Sequence, residues 1–343
     1  MLTKYVSIII PCRNEASLID KCLDSIIGND YPKAKLEILV VDGMSVDGTR
    51  DIVIDYCLRH SFIKLLDNPR KIIPVAMNIG IRQACGDIVM KMDAHSTYPK
   101  DYISKCVWYL LNYGADNVGG VSKIVPRGDT TLARAIAHAL AHPFASGNAY
   151  VKVGSRKPRW ADTAAFGCYR REVFDKIGLF NEELARGSDM DFNRRLRQAG
   201  GKILLVPGIV INYYADSDLK SFWRHNFSDG VWITYPLKFG SRPFSWRHLV
   251  PFAFVLSLIG SAVLATFLAV FRWVFVGITS SYLMANLIAS LHLALREKRM
   301  VYLGITPIIF ATRHIAQGLG ALVGLILVLV PGKHWKGRRG WKV

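Results

Sequence analysis

The chain has 343 residues, 51% of them apolar, enough for one or two domains with a proper hydrophobic core. Its formal charge of +18 is compatible with nucleic acid, an anionic membrane surface or an anionic substrate. No basic stretch interleaved with aromatics forms a nucleic-acid module. From Leu249 to the C-terminus, ten basic residues face one acid, Glu297, beside the longest apolar runs, so a membrane is expected as partner and nucleic acid is not.

From the N-terminus, YVSIII is a β-branched run ended by Pro11, with no signal-peptide pattern before it, so a cytoplasmic domain is expected. ASLIDKCLDSII follows, with Leu18, Cys22, Leu23 and Ile26 on one helical face. LEILVVD (36–42) is a second buried strand, followed by the loop GMSVDG and a helix through IVIDYCL. FIKLLD and DIVMKMD read as further strands, with the helix PVAMNIGIRQAC between them. Continuous apolar strands separated by helices predict an α/β fold, a parallel sheet with helices on both faces. Four strands end at polar groups: Pro11 to Glu15, Asp42-Gly43, Asp67-Asn68 and Asp93-Ala94-His95. Open α/β sheets bind ligands beyond these carboxyl ends. The six cysteines are scattered without a CxxC pair, which predicts reduced thiols.

Residues 117–245 mix strand and helix signals, including the helix SDMDFNRRLRQAG and the strand KILLV. The runs 249–271 and 273–295 carry no charge, and each exceeds the ~20 residues that span a bilayer. Only Arg272 separates them, which predicts a tight hairpin at Arg272-Trp273, and the cluster at 296–299 would return the chain to the cytoplasm. A third segment, 305–331, is interrupted by Arg313, His314 and Gln317 and is expected to be interfacial or re-entrant, leaving the basic tail KHWKGRRGWK inside. The expected division is a cytosolic domain over 1–240 and a membrane domain over 241–343.

SIIIPCRNEASLIDKCLDSI, ILVVDGMSVDGT, KMDAHSTYP and SDMDFNRRLRQAG occur in that order at domain-scale spacing. Together they resemble the family 2 glycosyltransferases of GT-A fold, in particular a membrane-attached subgroup similar to the succinoglycan-type glucosyltransferases. The likeness covers residues 5 to about 232. It implies a Rossmann-like, mostly parallel sheet with flanking helices, followed by C-terminal transmembrane or interfacial helices.

The resemblance also implies site roles. Pro11, Arg13 and Glu15 would lie near the ribose and base of a nucleotide donor, and Asp42 would bond the nucleoside. Lys71 and Asn78 sit where related sequences carry a basic residue and an Asn, and a cation there would offset diphosphate charge. Asp93-Ala94-His95 replaces the usual Asp-x-Asp. If the chain stays extended, both side chains point to the same side. Imidazole suits Mn²⁺ better than Mg²⁺, so Mn²⁺ is preferred, with Asp93 on the donor or metal and His95 a direct ligand. Asp189 matches the catalytic aspartate, with Asp191 the alternative base. Asp47 either contributes to the loop or caps the helix near Thr49, and Arg194, Arg195 and Arg197 read as a solvated or membrane-facing surface.

Trp160 and Asp162 resemble an acceptor-side loop, with core packing the rival reading for Trp160. Arg224, His225 and Trp232 lie in a degraded QxxRW element as candidate acceptor contacts. The implied reaction is metal-dependent, inverting transfer from a UDP-sugar (glucose or glucuronic acid) to a polyprenyl-diphosphate-linked saccharide at the cytoplasmic membrane face. Arg313, His314 and the 296–299 cluster are placed to attract lipid phosphate. A polyprenyl-phosphate sugar synthase is the nearest alternative, and a non-catalytic nucleotide-binding scaffold the remote one. The sequence leaves a homo-oligomer open.

Overall fold

The computed structural model describes residues 4–147, 157–240 and 246–330. The basic tail after 330 and most of the loop at 146–159 lie outside the described residues. The chain forms two compact units, Met1–Lys123 with Tyr150–Tyr213, and Ile124–Ala149 with Tyr214–Val343. This differs from the expected boundary at 240/241. The second unit takes in Ile124–Ala149 and the stretch from Tyr214 because their helices pack on the C-terminal helices.

The first unit opens with β1 (Val6–Cys12), α1 (Ile19–Ile27), β2 (Leu36–Asp42), α2 (Thr49–Arg59), β3 (Ile63–Asp67), α3 (Ile73–Gln83) and β4 (Ile88–Lys91). These strands are parallel in the order β3-β2-β1-β4, as the alternating pattern predicts. Their register puts Cys12 opposite Asp42 and Asp42 opposite Asp67, so the polar strand ends align on one edge. Next come β5 (Ser96–Thr97), α4 (Tyr102–Asn112) and β6 (Asn117–Pro126). The helices α5 (Thr131–Ala141) and α6 (Pro143–Ser146) belong to the second unit. The first unit resumes with β7 (Arg159–Trp160), β8 (Ala165–Arg170), α7 (Glu172–Ile177), α8 (Ser188–Gln198) and β9 (Ile203–Ala215).

β8 joins β4 antiparallel and β6 joins β8 antiparallel, so the sheet is mixed rather than wholly parallel. Apolar clusters cover both of its faces. One holds Ile8, Ile10, Ile38, Val40 and Met90, and the other Ile9, Leu39, Val41 and Val89, so alternate strand residues feed opposite faces. Glu37, buried in β2, is satisfied by the Ser7 hydroxyl and by the Cys85 amide at 2.6 Å. The six cysteines are free, Cys85 exposed and Cys12, Cys22, Cys106 and Cys168 buried.

The second unit adds α9 (Leu219–Thr234), α10 (Val250–Leu264), α11 (Val270–Arg296) and α12 (Val301–Leu329). α11 and α12 are long and apolar enough to cross a membrane. α10 has 15 residues, and the chain turns between Leu264 and Val270 rather than at Arg272-Trp273, which lie inside α11. α12 is one continuous helix over Val301–Leu329, without the break that a re-entrant segment needs. α9 and α12 approach until their backbones touch, because small residues line the seam. A Cβ added at Gly320 would sit 2.1 Å from the Phe227 carbonyl oxygen, and one at Gly230 would sit 2.1 Å from that of Gln317. Gly320→Val should therefore destabilise this unit by roughly 1–3 kcal/mol or more, read as a lowered melting midpoint of the detergent-solubilised chain. An unchanged midpoint would show that the seam relaxes freely.

Candidate active site

The loops after β1 and β2 are stapled together. Asn14, in the left-handed region at φ 55°, donates its amide to the Ser45 hydroxyl (2.8 Å), and its side chain accepts from the Val46 amide (3.0 Å). The Glu15 amide donates to the Thr49 hydroxyl at 2.8 Å. Asp47 accepts from the Ala16 and Thr49 amides, each at 3.2 Å, and from the Thr49 hydroxyl. Burial pushes the Asp47 carboxyl up, but these hydrogen bonds outweigh it and hold the group below its usual range. Asp47 thus tethers the first helical amide of α2 to the other loop.

Asp42 is completely buried, and both its oxygens are engaged. They accept from the Ser45 amide (2.9 Å), the Ser45 hydroxyl and Arg50 Nη1 (2.9 Å), and the Cys12 thiol lies at 3.6 Å. Arg50 also reaches Asp67 at 2.8 Å. Asp42 therefore presents Ser45 and Arg50 rather than a bare carboxylate. Asn78 is likewise spent: its amide donates to the Phe180 carbonyl and to Glu182, each at 2.9 Å, and it accepts from the Phe180 amide. It positions residues 180–182. The Arg13 and Lys71 side chains make no hydrogen bond or ion pair among the described residues, and the Arg13 side chain lies over Gly43. Pro11 is partly exposed at the end of β1.

At the end of β4 the chain does not stay extended. The Ser96 amide bonds the Asp93 carbonyl at 3.2 Å, closing a turn that carries Asp93 and His95. His95 Nδ1 lies 3.3 Å from Glu15 Oε1, and its ring meets Tyr213 edge-on at 4.9 Å. Among the described residues, no three histidine, cysteine or acidic side chains cluster as a ready-made metal cage. Lys91 is nearly buried, with Nζ 4.0 Å from Asp93 and 3.8 Å from Asp189. Burial alone would lower its ammonium, but Asp189 and then Asp93 outweigh that and raise it, so it stays charged.

Asp189 sits in the first turn of α8, after Gly187 at φ 71°, with its side chain 49% exposed. Asp191 is buried and bonded by Arg195 at 2.9 Å, which leaves Asp189 as the accessible carboxylate of the pair. Arg195 also donates to the Ile177 and Leu179 carbonyls, so it is an internal pin and not a solvated surface charge. Trp160 is 51% exposed, with Lys202 over its ring at 5.8 Å, which overturns the core-packing reading. Asp162 is exposed beside it in sequence.

Arg224, His225 and Trp232 belong to α9 in the second unit. His225 lies between Asp216 (3.2 Å) and Asp229 (3.7 Å), Arg224 bonds Ser221, and Trp232 is buried against Tyr235. Lys91, which the structure places between Asp93 and Asp189, and Arg50, placed between Asp42 and Asp67, are not singled out by the motifs. Their only signals in the sequence are a lysine inside the apolar run DIVMKM and an arginine eight residues after Asp42.

A half-exposed carboxylate, Asp189, and a nearly buried cation, Lys91, thus stand near Asp93 at the carboxyl edge of a mixed α/β sheet of GT-A type. Residues 7–178, half of the chain, match the family model of glycosyl transferase family 2; the chain belongs to that family and is a glycosyltransferase. It is 29% identical, over 94% of its length and 97% of the relative's, to a dolichyl N-acetyl-alpha-D-glucosaminyl phosphate 3-beta-D-2,3-diacetamido-2,3-dideoxy-beta-D-glucuronosyltransferase of Methanococcus voltae. It is 30% identical to the succinoglycan biosynthesis protein ExoA of Rhizobium meliloti, over 64% of this chain and 66% of that one. In fold it is similar to the mannosyltransferase PcManGT from Pyrobaculum calidifontis, solved with GDP-Man and Mn²⁺ (TM-score 0.59, 23% identity, 93% of this chain, 87% of that one).

Asp47→Ala should cost about 1 kcal/mol at neutral pH, the size of a lost helix-terminal side-chain bond. Because the folded-state carboxyl lies below 3.8, that stability is present above about pH 4 and is lost as pH falls through the folded value. Denaturant unfolding of both proteins at pH 7 and in acid checks this: the gap should close in acid, and a gap that widens there refutes the tether.

Proposed function

We propose that the chain transfers glucose or glucuronic acid from a UDP-sugar to a polyprenyl-diphosphate-linked saccharide at the cytoplasmic face of the cell membrane, inverting the anomeric centre. The observation that carries this reading is Asp189, half exposed and held 3.8 Å from Lys91, whose other neighbour is Asp93. In a single displacement the acceptor hydroxyl oxygen bonds to the anomeric carbon as the bond to the diphosphate oxygen breaks. Asp189 takes the hydroxyl proton. Lys91 fixes the Asp189 carboxylate and keeps one positive charge beside two negative ones. Arg13 and Lys71 supply cations for the diphosphate, while Pro11, Glu15 and the Asp42–Ser45–Arg50 group shape the nucleoside side.

The Methanococcus voltae relative, named for a dolichyl-phosphate-linked acceptor and a diacetamido-dideoxy-glucuronosyl group, supports the lipid-linked acceptor and a donor of the uronic-acid type. Exposed Trp160 and Asp162 are assigned to the acceptor sugar. Arg224 and His225 are assigned to its lipid-linked part, and Trp232, being buried, to packing. α10 and α11 are read as a membrane hairpin. α12, one face of which is taken by α9, is read as running along the interface.

Asp93 and His95 would hold a divalent ion, should one bind here. The Glu15 carboxylate beside His95 Nδ1 is the partner that a metal-ligating histidine usually has on one of its nitrogens, and Nε2 would then be the ligand. When bound there, Mn²⁺, or Mg²⁺ in its place, would stabilise negative charge on the departing diphosphate.

Asp189→Asn should lower UDP release with a lipid-linked acceptor by roughly 10²–10⁴-fold while donor binding persists, and wild-type turnover in that variant would remove Asp189 as base. A product with a single sugar on a bare lipid phosphate would identify a polyprenyl-phosphate sugar synthase instead. His95→Ala should lose the Mn²⁺-dependent part of UDP binding by calorimetry and keep the metal-independent part. Equal Mn²⁺ dependence in both proteins would exclude His95 as ligand.

A further inference from the structure

Arg313 lies near the middle of α12, about 18 Å along it from Val301. Its side chain turns toward the segment after α5 and toward α9. Nε donates to the Ala145 carbonyl and Nη1 to Asn226 Oδ1, each at 2.6 Å. Both acceptors are neutral, and no carboxylate lies within 4.0 Å among the described residues. The neighbouring His314 also meets neutral groups, the Phe144 carbonyl at 3.0 Å and the Tyr282 hydroxyl at 3.1 Å. Asp229, one turn beyond Asn226 on α9, faces His225 at 3.7 Å and also acts on Arg313 as a more distant negative charge, beyond ion-pair range. Nη2 has no acceptor among the described residues.

A guanidinium has five N–H donors in a planar fork that matches phosphate oxygens. Withdrawing one from water with no directly paired carboxylate, only the more distant Asp229, is costly, and an ionisable group in an apolar helix marks a ligand site by default. If Arg313 only pinned the short α6, a neutral donor would satisfy the Ala145 carbonyl without that cost. We propose that Arg313, seated on Asn226 and the Ala145 carbonyl, binds the phosphate of an isoprenoid lipid carrier. This rests on the lipid-linked acceptor reading and names its anchoring subsite. The basic residues Arg296, Lys298 and Arg299, at the junction of α11 and α12, are left to general attraction of an anionic surface.

The full chain in detergent is titrated with farnesyl phosphate, farnesol and inorganic phosphate, with binding read by calorimetry. Farnesyl phosphate should bind, and farnesol or inorganic phosphate at the same concentrations should bind at least tenfold more weakly. Arg313→Gln should weaken farnesyl phosphate at least tenfold. Because that variant also unpins Ala145, Asn226→Asp is the deciding change: it gives Arg313 an internal carboxylate, keeping the pin while neutralising the charge. It should leave the lipid-free melting midpoint within a few degrees and still weaken farnesyl phosphate at least tenfold.

Wild-type farnesyl phosphate affinity in Asn226→Asp overturns the site, and inorganic phosphate binding as tightly as farnesyl phosphate overturns the lipid assignment. Asp189→Asn should bind farnesyl phosphate normally without transferring sugar. Loss of transfer in that variant therefore reports on the reaction, and loss of lipid binding in Asn226→Asp reports on this subsite.

Discussion

The first unit depends on one electrostatic constraint: carboxylates gathered at a single sheet edge must be separated by cations. Asp42, Asp67, Asp93 and Asp189 all lie at strand or helix ends of this unit. Arg50 bridges the first two, and Lys91 stands between the last two. The buried Asp42 carboxylate is satisfied by the Ser45 amide and hydroxyl and by the Arg50 guanidinium. Of the two acids in the first turn of α8, Asp189 keeps solvent access while Asp191 is consumed by Arg195.

Around that edge the structure invests in loop rigidity. The Asn14–Ser45–Val46 and Asp47–Ala16–Thr49 bonds make two loops, 31 or 32 residues apart in sequence, into one body. Asn78 does the same for residues 180–182. Several polar residues at this edge are thus engaged in fixing the backbone and neighbouring side chains. The second unit is organised differently. Glycines let the α9 and α12 backbones meet, and the Arg313–Asn226 and Thr234–Ala321 hydrogen bonds cross the same seam.

Much of this is legible in the sequence. The alternation of apolar strands and helices predicts the parallel half of the sheet, and the polar strand ends predict its functional edge. The antiparallel half is less readable because β5 and β7 have two residues each and carry no periodicity. The membrane region is legible as apolar runs, but the turn at 265–269 contains no charge or proline to mark it, so the charge of Arg272 points to the wrong corner. Trp160 can be read as core or surface, since an isolated aromatic looks the same in either setting.

The sequence by itself determined the family, the sheet's strand-helix alternation and which residue types stand at the strand ends, because these are local in the chain or written as ordered motifs. Only the tertiary structure decided which of those groups are free. Asp42 and Asn78 are occupied, Asp191 is paired and Asp189 is open, and Lys91 lies between two acids that are two and ninety-eight residues away from it. Hydrogen-bond and charge partners across such separations are set by folding, and no spacing rule along the chain records them.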